Sequence, residues 1–108
     1  LPLSKEVKRV AVIGPNADNV YNQLGDYTAP QAPGSVITVL EGIRQKLPGA
    51  EVRYVKGCAV RDTLDTSIGE ACETAKNSDV VVVVLGGSSA RDFETDFLET
   101  GAAVATEG

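Results

Sequence analysis

Apolar residues along this chain gather in short runs, and the spacing within each run differs. Val10 to Ile13 are four in a row. An unbroken run of that length predicts a strand over residues 8–13 covered on both faces, as in a parallel sheet. Gly14 and Pro15 end it. Five valines and Leu85 fill residues 80–85 and give the strongest strand signal, over 79–85, which reads as central and fully buried. Between them, Glu51, Arg53 and Lys56 alternate imperfectly with Val52, Tyr54 and Val55. That pattern predicts a strand over 51–56 with one wet face, hence an edge strand.

Two stretches carry helical spacing instead. Val36, Val39, Leu40, Ile43 and Leu47 form one apolar face and predict a helix over 36–47. Ser35 could cap it, or Thr38 with Glu41 as a capping box, and Pro48-Gly49 stops it. Ile68, Ala71, Cys72 and Ala75 predict a second helix over 68–77, with Ser67 and Glu70 spaced as a capping box. The order is then β-α-β-α-β. Such alternation implies an α/β fold, an open parallel sheet with right-handed crossovers, strand order 2-1-3 and Rossmann-like layers.

Two features of this pattern stand out. Residues 14–34 form a long loop rich in Asn, Asp, Gly and Pro, but Tyr21, Leu24 and Tyr27 argue against a polar linker. At the other end, a flat all-valine strand with no fourth strand beside it would be an aggregation hazard, and three strands are few. The expectation is an incomplete α/β sandwich, residues 1–108 being part of one domain, with 86–108 a loop or partly ordered tail.

Composition narrows the chemistry. The net charge of −5 over 108 residues argues against nucleic acid or an anionic membrane as partner. With no histidine, Cys/His zinc sites and His-activated nucleophiles are excluded, so acid–base work would fall to carboxylates, Lys, Tyr or Cys. Neither Cys58 nor Cys72 has a basic neighbour in sequence, and both read as small structural thiols. No cofactor or metal is called for.

The turn Gly14-Pro15-Asn16-Ala17-Asp18 follows a strand, as a phosphate-binding loop would. It has one glycine, a proline without an amide proton, and no second or third glycine, so it fails the dinucleotide fingerprint. Gly86-Gly87-Ser88-Ser89 lies at the carboxyl end of a parallel strand, where open α/β sheets bind ligands. Beyond it, Asp92, Glu94, Asp96 and Glu99 make an acidic cluster suited to glycosidase chemistry or to a divalent cation, although a solvated acidic face is the plainer reading. A small nucleotide- or sugar-binding module is therefore the alternative to an enzyme part.

The segments KRVAVIGPNADN, QLGDYTAP, ITVLEGIRQKL, VRYVKGC and IGEACETAKNSDVVVVVLGGSSARDFETDFLETGAA, in that order, resemble the start of the C-terminal α/β-sandwich domain of glycoside hydrolase family 3, the β-glucosidase and β-xylosidase family. The resemblance implies a retaining glycosidase whose nucleophilic aspartate sits on an N-terminal (β/α)8-like barrel not present in these residues. It also implies that the acid/base glutamate follows the SSARDFETDF segment. Glu107-Gly108 matches half of that glutamate's motif, and the resemblance puts the acid/base after Gly108. Asp92, Glu94 and Asp96 become substrate-adjacent candidates. The implied partners are the barrel and a β-linked glycoside, in a periplasmic or secreted setting with the cytoplasm as the alternative. On this reading the chain closes the barrel's active site and is inactive alone.

Overall fold

The computed structural model describes residues 3–25, 27–60, 64 and 66–88. Three strands, β1 (Arg9–Ile13), β2 (Glu51–Val55) and β3 (Val80–Val83), form one open parallel sheet in the order β2-β1-β3. The chain runs β1, α1 (Val20–Leu24), α2 (Val39–Lys46), β2, α3 (Ile68–Lys76), β3. The expected sheet order holds, and β1 is the central strand.

In-register partners share a sheet face, because side chains alternate along a strand. Val10 lies beside Val52 and Val80, and Val12 beside Tyr54 and Val82. That face packs on α2. Val10, Val12, Ala17 and Leu40 form the buried core, with Ile43, Leu47, Val52, Tyr54, Val82 and Val84 packed around it. The opposite face carries Ala11, Ile13 and Val55, and Ala71 of α3 is buried with Ala11 and Val55. Gly57 lets this layer close up: a Cβ there would stand 3.2 Å from Ile13 Cγ2 and 3.8 Å from the Ala71 methyl.

Helix α2 starts at Val39 and not at residue 36. The Glu41 N–H donates to the Thr38 hydroxyl at 3.3 Å, while the Glu41 carboxylate accepts from the Thr38 N–H at 2.9 Å. Two otherwise orphaned donors are thus satisfied at once. Ser35 is used elsewhere: its hydroxyl donates to the Ala32 carbonyl at 2.7 Å. Ser67 makes no side-chain cap on α3, against the spacing-based expectation. Its hydroxyl accepts from the Gly57 N–H at 2.9 Å, and its own N–H donates to the Gly57 carbonyl at 2.8 Å, so the residue ties the end of β2 to the helix start.

Three other expectations change. Helix α1 interrupts the segment read as a loop; Asn19 caps it, its side chain accepting from the Asn22 N–H, and Gly25 closes it. Strand β3 is not buried on both sides, because α3 lies over β1 and β2, leaving Val81 and Val83 exposed. Helix α3 buries Ala71 and Thr74, whereas Ile68 is exposed and the free thiol Cys72 faces outward. The other free thiol, Cys58, is partly buried.

Tyr54 sits on the α2 side of the sheet as a partly buried phenol. Burial pushes its pKa above the ordinary 10.0, the Asp18 charge pushes it further up, and Lys56 opposes them. A proton held more tightly in the folded chain stabilises the fold fully below the unfolded value and is lost as pH rises through the folded one. Tyr54→Phe is therefore expected to flatten the fall in unfolding free energy above about pH 10. Urea titrations of both forms at stepped alkaline pH check this; parallel curves would refute it.

Candidate functional site

In open parallel sheets, ligands meet the loops at the carboxyl ends of the strands. Here that edge gathers the turn after β1 and the segment after β3. The hydrogen-bond ladder continues past both strands: Gly14 N–H donates to the Val55 carbonyl at 3.1 Å, and Val84 N–H to the Ile13 carbonyl at 2.7 Å. Gly14 has φ +132, and a Cβ there would stand 2.0 Å from the Val84 carbonyl oxygen. Only glycine lets the two chain segments lie this close.

From Gly14 the chain folds back on itself. Ala17 N–H donates to the Gly14 carbonyl at 3.3 Å, and Ala17 is fully buried. Its own carbonyl accepts from the Leu40 N–H at 2.9 Å, which joins the turn to α2. Asp18 accepts from the Thr38 hydroxyl at 2.8 Å, so this carboxylate is engaged in holding the turn against the helix cap. Farther along, the Gln23 amide donates to the Ile37 carbonyl at 3.0 Å and ties α1 back to the entry of α2.

Three asparagines connect the layers of this edge. Asn19 caps α1 through the Asn22 N–H at 2.9 Å. The Asn22 side-chain amide donates to Asn16 Oδ1 at 2.7 Å. Asn16 in turn donates from Nδ2 to the Gly87 carbonyl at 3.2 Å, and its backbone N–H reaches the Val84 carbonyl at 3.4 Å. Asn16 therefore grips the chain leaving β3 at two points. Residue-type reasoning about this turn looked for phosphate ligands and passed over it. The signal was present in NADNVYN, where Asn recurs every third residue at 16, 19 and 22.

Beyond the brace lies an open hollow of about 680 Å³ walled by Val20, Leu24, Pro30, Pro33 and Val36, among others. Tyr21 and Tyr27 line it, 66% and 98% exposed, and present apolar rings outward. The structure brings Gly86, Gly87 and Ser88 to the Asn16 side of this edge. Asp92, Glu94 and Asp96 lie outside the described residues. Among the described residues, no group of His, Cys, Asp or Glu could hold a metal ion. Nor is any helix there long and apolar enough to cross a membrane.

The fold is an open parallel α/β sheet whose loops after β1 and β3 are tied together at one edge. The glycosyl hydrolase family 3 C-terminal domain matches residues 1–106, and the chain belongs to that family. It is 38% identical over 96 residues to a β-xylosidase of Formosa agariphila, covering 82% of this chain and 13% of that protein. It is 37% identical over 95 residues to a probable β-D-xylosidase 7 of Arabidopsis thaliana, covering 87% of this chain and 12% of that one. A periplasmic β-glucosidase of Salmonella typhimurium is 30% identical over 115 residues, covering 87% of this chain and 15% of the enzyme. The chain thus spans about an eighth of the length of these relatives.

Proposed function

We propose that this chain is part of a retaining β-glycosidase, with a β-xyloside as substrate, and that its strand-carboxyl edge faces a catalytic barrel. The observation that carries this reading is the edge itself. The turn after β1 and the exit from β3 are joined through Asn16 into one braced surface. Retaining hydrolysis requires two carboxyls about 5–5.5 Å apart, one as nucleophile and one as acid/base. On this reading the barrel supplies the nucleophile. The chain continuing from β3 supplies the acid/base beyond Gly108, and Asp92, Glu94 and Asp96 lie near the sugar. The exposed rings of Tyr21 and Tyr27 add apolar area for contact with the neighbour. Xyloside is preferred over glucoside because the relatives at 37–38% identity carry the xylosidase name and the glucosidase stands at 30%. A periplasmic or secreted setting is proposed with it, in keeping with the periplasmic relative.

A graft tests this. Residues 1–108 replace the matched segment of the Formosa β-xylosidase, and release of 4-nitrophenol from its β-xyloside is followed for the graft and for the chain alone. The graft is expected to turn over the xyloside faster than the glucoside, and the chain alone to turn over neither. Turnover by the isolated 108 residues, or a folded graft without turnover, would contradict the proposal.

A further inference from the structure

We draw no further inference here: the strongest candidate, the exposed apolar face of β3 at Val81 and Val83, is an unpartnered surface among the described residues, and nothing in the structure shows what covers it.

Discussion

Gly14→Ala is expected to destabilise the fold by more than about 3 kcal/mol, enough to remove most of a small domain's stability. Two costs add. At φ +132 an alanine is strained, and its methyl would stand 2.0 Å from the Val84 carbonyl oxygen. Backbone cannot rotate away as a flexible side chain would, so β1 and the exit of β3 must separate. The bond from Val84 N–H to the Ile13 carbonyl, 2.7 Å, lies directly at that junction. Gly34→Ala separates the two costs. Gly34 also has positive φ, +79, but a Cβ there meets nothing within 4 Å. It is expected to lose only about 1–2 kcal/mol, the ordinary cost of a left-handed alanine. Urea midpoints of the two variants check this; comparable losses would mean that the close approach to Val84 does not matter.

Leu40→Ala is the second large effect, with an expected loss of about 2–5 kcal/mol. Leu40 is 2% exposed and packs with Val10, Val12 and Ala17 between α2 and the sheet. The side chains around it are held by the strand ladder and cannot collapse fully into the space, so a cavity term adds to the lost burial. Its backbone N–H donates to the Ala17 carbonyl at 2.9 Å, so this spot also anchors the turn after β1. Leu85, 62% exposed, is the control: Leu85→Ala is expected to change stability by less than about 0.5 kcal/mol. Equal shifts in the urea midpoint for the two variants would show that the core has been placed on the wrong side of the sheet.

Strand identity was legible because Val10–Ile13 is a short apolar run closed by Gly14 and Pro15, too short for a buried helix. The order followed from the β-α-β-α-β alternation. The edge character of β2 was legible from Glu51 and Arg53, whose exposed side chains pair at 2.7 Å. Helix α1 escaped because five residues are too few for a periodic signal, and only the Asn19 cap and the Gly25 stop announce it. The valine run of β3 misled for another reason. Composition reports what a strand could bury, while burial depends on which helices reach it, and α3 lies over β1 and β2. Ser67 failed as a cap because a tertiary partner, the Gly57 N–H, claimed its hydroxyl. The brace at the candidate site is likewise tertiary. Asn16 and Gly87 are 71 residues apart, and no local pattern pairs them.

The central claim is that the strand-carboxyl edge faces the catalytic partner. Amide hydrogen exchange on the Formosa graft, compared with the chain alone, tests it most directly. Residues 16–25 and 84–88 are predicted to exchange more slowly in the graft. The opposite edge, where the backbone N–H groups of Lys8 and Arg9 donate to the Asp79 carboxylate at 3.3 and 3.0 Å, is predicted to be unchanged. Slowing confined to Lys8, Arg9 and Asp79, with residues 16–25 and 84–88 unaffected, would contradict the account.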